Sequence, residues 1–245
     1  MKTITTTIVL YVVTLVLPLH ISAQQQVPIL IYHSIDEFKG LGDKELYVTP
    51  ENFEKQMRYL RDNGFTLLTF EQWQDLDNVE KPIFITFDDG YKNNLNAFAI
   101  LKMLANERFK PAATIFVISD FIGRTNRLSP ADLIMLSDSG IISIQSHTAT
   151  HPDLTKISMF EHELKDSKDK IFNITGEPVI ALAYPYGNTN NKVIEETKKY
   201  YSFGLTTTPE YFSKKGIKNE LYLLPRIYVK YSTTLDDFAK IVERK

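Results

Sequence analysis

The 245-residue chain predicts an α/β fold, a distorted (β/α) barrel of seven or eight units, and three observations carry that expectation. Short apolar runs alternate with amphipathic helical stretches from Val27 to Val242. That alternation implies parallel strands joined by helical crossovers. Helix-opening pairs (Thr49-Pro50, Ser129-Pro130) and helix-stopping glycines (Gly64, Gly140, Gly176) punctuate the runs. No internal repeat, low-complexity segment or Pro/Gly-rich linker divides the chain, so residues 24–245 read as one domain. An open doubly wound sheet is the alternative arrangement of the same units.

Taken in order, Val27 to Tyr32 is the first strand. Asp36 to Val48 is a loop with two glycines. Thr49-Pro50 opens a helix whose apolar face carries Phe53, Met57 and Leu60. Phe65 to Phe70 is the second strand, and a short helix surrounds Trp73. Pro82 to Phe87 is the third strand, followed by a helix over Asn96 to Asn106. Ala112 to Ile118 and Ile141 to Gln145 are the fourth and fifth strands, with the Ser129-Pro130 helix between them. Ser158 to Glu161 has capping-box spacing before a long helix that ends at Gly176. Val179 to Tyr184 is the sixth strand, and a helix begins near Lys192. Ser202 to Thr207 and Leu221 to Val229 supply the last strands, and Leu235 to Val242 is a closing helix.

Composition excludes several classes of chemistry. The net charge of −2, with both signs interspersed, gives no basic surface for nucleic acid. The chain has no cysteine, so thiolate metal sites, disulfides and Cys nucleophiles are ruled out. Residues 1–23 have the pattern of a secretory signal: Lys2, an apolar run from Ile8 to Leu19, then Ser22-Ala23 before Gln24. The run is shorter than the roughly 20 residues of a membrane span. The expected location is secreted, periplasmic or at the cell surface, with an N-terminal membrane anchor as the alternative. Oligomeric state is not legible in the sequence.

Two stretches carry the chemistry. Thr86-Phe87-Asp88-Asp89-Gly90 puts paired carboxylates where a buried strand ends. Neighbouring strand residues face opposite ways, so one carboxylate can take a metal while the other meets a substrate. An Asp-Asp-Gly turn is the plain alternative. Ser146-His147-Thr148-Ala149-Thr150-His151 follows the fifth strand and holds two of the chain's five histidines. One Asp and two His make three ligands with a position left for water, the composition of a catalytic divalent site. Zn²⁺ suits that set, and Co²⁺ or Ni²⁺ also fits. The second Asp is then free to act as a general base.

These two stretches, followed by Ala183-Tyr184-Pro185-Tyr186-Gly187, resemble the three leading motifs of the polysaccharide deacetylases, carbohydrate esterase family 4. The resemblance implies that family's distorted barrel over the whole mature chain. It implies Asp88 as catalytic base and Asp89, His147 and His151 as metal ligands. It also implies that the backbone N–H of Tyr186 helps to hold an oxyanion.

The chain departs from the family pattern at three points. Ala183 stands where an Arg usually orients the catalytic Asp, and no His follows His162 to supply the usual late general acid. Trp73 is the only tryptophan and lies away from the segment that lines the substrate groove. Ile31-Tyr32-His33-Ser34, Tyr184-Pro185-Tyr186-Gly187 and Pro225-Arg226-Ile227 are similar to the branch that de-N-acetylates bacterial poly-N-acetylglucosamine. On that similarity His33 becomes the general acid and Arg226 the group that orients Asp88. A capping His and a rim salt bridge are the plain alternatives. His162, inside Glu161-His162-Glu163, reads as part of a solvated helix face, and the Asn173 glycosylation sequon carries no weight.

The expected activity is metal-dependent removal of N-acetyl groups from an N-acetylglucosamine-containing polysaccharide, with release of acetate. The expected partner is an acetylated polysaccharide substrate, with no nucleic acid and no stable membrane span after signal cleavage. An O-acetyl xylan-type esterase and a non-catalytic, metal-containing glycan-binding protein are the competing readings.

Overall fold

The computed structural model describes residues 25–40 and 42–243 of the chain. The expected signal over residues 1–23 therefore lies outside the described residues. Among them, no helix is long and apolar enough to cross a membrane.

Eight parallel strands form one sheet: β1 (Ile29–Tyr32), β4 (Thr66–Leu68), β5 (Pro82–Phe87), β6 (Ala113–Val117), β7 (Ile142–Ser146), β8 (Ala181–Ala183), β9 (Phe203–Leu205) and β10 (Ile227–Tyr228). Two further strands, β2 (Ser34–Ile35) and β3 (Tyr47–Val48), pair with each other, the first just before and the second inside the stretch that the sequence reads as loop. Six α-helices lie between or after the strands: α1 (Pro50–Asp62), α2 (Asn94–Leu104), α3 (Pro130–Ser137), α4 (Ser167–Thr175), α5 (Asn191–Thr197) and α6 (Leu235–Val242). The sheet runs β10-β1-β5-β6-β7-β8-β9. β5 is forked, pairing with β4 through Pro82 to Phe84 and with β6 through Thr86 and Phe87. Leu224 pairs with Leu205 of β9, and Ile227 and Tyr228 pair with β1, so one short segment bridges the two edges of the sheet. The distorted barrel expected from the alternating pattern is the observed architecture.

Alternation along each strand separates two cores. Ile83, Ile85 and Phe87 of β5 face the helices, while Phe84 faces the barrel interior with Ile29, Phe116, Ala181, Ala183 and Leu205. The 3₁₀ segment Phe70–Asn78 contributes to this inner core through Phe70, whose ring stacks 5.0 Å from that of Phe84. Trp73 packs there against Phe84, Phe203 and Phe212. Burying an aromatic or aliphatic side chain of this size contributes about 1.5–3 kcal/mol relative to exposure, which accounts for an apolar run as dense as Pro82 to Phe87.

Local signals worked where they were strongest. The Thr49 hydroxyl caps α1 by accepting from the Asn52 N–H, with Pro50 at the first helical position. Ser129 and Asp132 form a capping box on α3. Three expectations shift. The helix after β5 begins at Asn94 and ends at Leu104, two residues earlier than its apolar spacing suggests. Leu221 to Val229 is not one strand: Glu220–Tyr222 is a 3₁₀ turn, and the strand starts only after Pro225 and Arg226. The helix expected from Ser158 starts at Glu161 and passes through a π-helical turn, His162–Asp166, before α4. Ser158 is therefore not its cap.

Candidate active site

The same alternation that builds the inner core aims side chains at its upper end. On β5, Phe84 and Thr86 lie on the interior face, and Asp88, the first residue past the strand, continues it. Past the end of β7, His147 continues the interior face, with its N–H still paired to Val117 O at 2.8 Å. Past β1, His33 does the same.

Arg226 is fully buried and grips Asp88 with both arms: Nη1 donates to Oδ1 at 2.7 Å and Nη2 to Oδ2 at 2.8 Å. Its Nε donates to Thr206 O at 3.0 Å, and Nη1 also reaches Thr86 Oγ1 at 3.2 Å. Arg226 immediately precedes β10, and its side chain lies inside the barrel. Burial alone would raise the Asp88 pKa; the guanidinium, with His147 and His33 behind it, reverses that and holds the carboxyl well below the usual carboxylate range.

A regular strand would send Asp89 to the face opposite Asp88. It does not, because Asp89 leaves the strand in a left-handed conformation, φ +71°. Its Oδ1 comes to 3.7 Å from His147 Nε2 and 3.8 Å from His151 Nε2. Gly90 follows with φ +63°, and a Cβ there would sit 2.9 Å from Val117 Cγ1, so the turn accepts only glycine. Tyr91 lies near the Asp89 carboxylate, and the Arg127 guanidinium lies 3.9 Å from the Tyr91 ring centroid. Burial, then the Asp89 charge, pushes the Tyr91 phenol above its ordinary pKa.

His147 Nδ1 lies 2.7 Å from Ala183 O. A carbonyl only accepts, so Nδ1 carries the proton and Nε2 presents its lone pair. His147 is buried, and burial lowers its pKa against the pull of Asp88 and Asp89. These separations test whether a divalent ion fits. Donors each about 2.0–2.2 Å from one ion lie at most about 4.4 Å apart. The two Asp89–His contacts fall within that limit and beyond hydrogen-bond reach. The whole Asp89, His147, His151 set lies within 4.8 Å, and it is the one such group among the described residues. A carboxylate and two imidazoles this close together have the chemistry to hold a divalent ion.

Tyr186 is also left-handed, φ +61°, and its ring lies 4.8 Å from that of His151 at 71°. Gly187, φ +72°, permits this turn. A Cβ on it would collide with Thr207 Oγ1 and lie 2.7 Å from the Thr207 backbone nitrogen. His33 is half-buried and stacks on Tyr228 at 5.8 Å with the planes 4° apart. Its carbonyl accepts from Asn94 Nδ2 at 2.6 Å, and burial lowers its imidazole pKa against Asp88 and Asp89. The structure thus gathers His33, Asp88, Asp89, His147, His151, Tyr186 and Arg226 at one end of the barrel. His162 stays outside, exposed between Asp120 and Asp166.

Sequence reasoning missed Tyr91, Arg127 and Glu163. The first two meet through an antiparallel bridge between loops, for which no local pattern exists. Glu163 sat inside a charged stretch, but its carboxylate turns inward and accepts from the N–H groups of Ala149 and Thr150.

A parallel barrel that gathers two carboxylates, three imidazoles and one buried arginine at a single end defines a hydrolytic site. The chain belongs to the polysaccharide deacetylase family, whose profile matches residues 75–202, and it is a carbohydrate deacetylase. It is 32% identical over 227 residues to YxkH of Bacillus subtilis, a protein named for the same family, covering 89% of this chain and 76% of that one. A polysaccharide deacetylase of known crystal structure, BC0361 from Bacillus cereus, is 52% identical, with a TM-score of 0.88 over 89% of this chain and 69% of that chain. The poly-β-1,6-N-acetyl-D-glucosamine N-deacetylase of Staphylococcus epidermidis is 27% identical over 233 residues, covering 83% of this chain and 77% of that protein.

Proposed function

We propose that this enzyme removes N-acetyl groups from an N-acetylglucosamine-containing polysaccharide and releases acetate. The observation that carries the reading is the Asp89–His147–His151 donor set beside a second carboxylate, Asp88, locked by Arg226. The likeness to the Staphylococcus epidermidis enzyme supports the substrate class. In this proposal Asp89, His147 and His151 hold a divalent ion, with Zn²⁺ the first choice and Co²⁺ or Ni²⁺ able to replace it.

When bound, such an ion supplies a water acidified toward a pKa of about 7 and a Lewis acid for the acyl oxygen. The side chains divide the remaining work. Asp88, kept ionised by Arg226, takes the proton of the attacking water as the new C–O bond forms. Arg226 fixes the direction from which Asp88 does so. The Tyr186 N–H, in a turn held by Gly187, donates to the oxygen that gathers charge. His33 gives its proton to the departing nitrogen as the C–N bond breaks, leaving a free amine on the sugar and acetate in solution. The proposal includes export through residues 1–23, because a polysaccharide of this class is met outside the cytoplasm.

Acetate release should be measured on poly-N-acetylglucosamine, chitin oligomers, peptidoglycan and acetylxylan, each with and without a chelator. Release from an N-acetylglucosamine polymer that stops with chelator and returns with Zn²⁺ is the expected result. Release from acetylxylan alone would replace the amide reading with an ester one. Unchanged release in chelator would remove the ion. His33→Ala should lose about 10²–10⁴-fold in turnover while still binding Zn²⁺.

A further inference from the structure

The loop that carries the two histidine ligands is strained. Thr148 and His151 are left-handed at φ +69° and +66°. Thr148 is β-branched, and such a residue avoids this region unless its surroundings impose it. Thr148 and Ala149 are also fully buried. Every backbone polar group buried here needs a partner, and the partners can be traced. The Thr148 N–H reaches Ser146 Oγ at 3.2 Å, and the His151 N–H reaches Thr148 Oγ1 at 3.0 Å. The carbonyls of Thr148 and Ala149 accept from the N–H groups of Ser119 and Asp120, each at 3.0 Å.

The two remaining N–H groups, those of Ala149 and Thr150, go to one side chain. Glu163 Oε2 accepts from them at 3.0 and 2.9 Å, and Oε1 accepts from the Thr150 hydroxyl at 2.6 Å. Glu163 is buried, 7% exposed, and comes from the π-helical turn His162–Asp166. Turns of this kind recur at functional sites. Its neighbour His162 faces out to Asp120 and Asp166, so only Glu163 faces the loop.

We propose that Glu163 is a positioning residue: its carboxylate holds the His147–His151 loop in its strained shape, so that both imidazoles converge on Asp89 before an ion arrives. This rests on the metal-site reading above. Glu163 touches neither ion nor substrate in this proposal. Three donors converge on its two oxygens, and removing those oxygens would leave the amides of buried Ala149 and of Thr150 without their acceptor and free the loop to relax.

The test uses the full chain stripped of metal, as wild type, Glu163→Ala, Glu163→Gln and Thr150→Val. Two quantities are read: amide hydrogen exchange at residues 147–151 in the metal-free protein, and Zn²⁺ affinity by calorimetry, with the Co²⁺ absorption spectrum reporting ligand geometry. Glu163→Ala should speed exchange at Ala149 and Thr150 and weaken Zn²⁺ binding by about 10–100-fold. Glu163→Gln keeps an acceptor for both amides and should stay within about fivefold of wild type. If Glu163→Ala does not fold, Thr150→Val decides: weaker Zn²⁺ binding in a folded protein supports the proposal, and unchanged affinity overturns it. A folded Glu163→Ala with wild-type exchange and affinity would also overturn it. Wild-type protein that binds no divalent ion would sink the metal-site reading instead, and that outcome is visible before any variant is compared.

Discussion

Asp88 and the His147–His151 loop face each other across the site, and they are held by opposite means. Asp88 directly follows the regular strand β5 and is fixed by charge, through two short bonds to a fully buried guanidinium. The histidine loop is irregular and is fixed by shape, through bonds to backbone groups that carry no formal charge. A charge clamp controls whether a group is protonated. A backbone clamp controls where a lone pair points. The two sides of the site therefore have different weaknesses: the Asp88 side should fail through electrostatics, the loop side through geometry.

The largest break should come on the charge side. Arg226→Met keeps much of the buried volume but leaves the Asp88 carboxyl without its partner in the interior. Removing one partner of a buried pair typically costs about 3–5 kcal/mol, so the urea midpoint should drop sharply. Acetate release should fall about 10²–10⁴-fold, the range for losing a positioned proton acceptor. Arg226→Met combined with Asp88→Asn should recover part of the stability and none of the activity. An unchanged midpoint in Arg226→Met would show that the Asp88–Arg226 pair contributes nothing net.

A break through geometry should be milder. Gly187→Ala places a methyl group against Thr207, including its backbone nitrogen, so the Tyr186 turn must shift. Overpacking of this kind costs about 1–3 kcal/mol, and misplacing a donor by about 1 Å can cost roughly 100-fold in rate. The expected signature is a fall in kcat with Zn²⁺ affinity retained. Loss of Zn²⁺ affinity alongside kcat would mean that the turn also supports His151, whose ring Tyr186 touches.

The same division explains what was legible in the sequence. Asp88 and His147 each follow a regular strand directly, so alternation carries both onto the interior face. Asp89 comes to lie beside His147 and His151, although alternation alone would have turned it away; only its left-handed backbone returns it. Arg226 stood out because Ala183 left the orienting role vacant, but its depth inside the barrel depends on β9 and β10 being bridged by one irregular segment. Glu163 was hidden in Glu161-His162-Glu163, because a π turn changes which side of a helix faces inward and leaves no mark on apolar spacing. Most of the barrel came from periodicity, which is local. The clamp on Asp88 comes from a contact between residues far apart in the chain, that of Arg226 with Asp88.

The smallest expected effects are those of pH on the metal-free protein, and their signs separate the buried histidines from the exposed one. Burial depresses the folded pKa of His33 and of His147 below the ordinary 6.5. Their contribution to stability is present above the unfolded pKa and is lost as pH falls through the folded values. The pKa of His162 is raised, first by its bond to Asp166 and then by Asp120. Its contribution is present below the unfolded pKa and is lost as pH rises through the folded value. Because His162 is exposed, that contribution is screened, and His162→Ala should change stability by no more than about 0.5 kcal/mol. The urea midpoint measured from pH 5 to 8 in chelator should therefore fall on the acid side in wild type and in His162→Ala alike. The variant should lose only the slight decline above pH 6.5. If His162→Ala instead abolished the acid-side fall, the exposed triad rather than the buried site would be the pH-sensitive part of the fold, and the division between charge held inside and charge left in solvent would fail where it is easiest to measure.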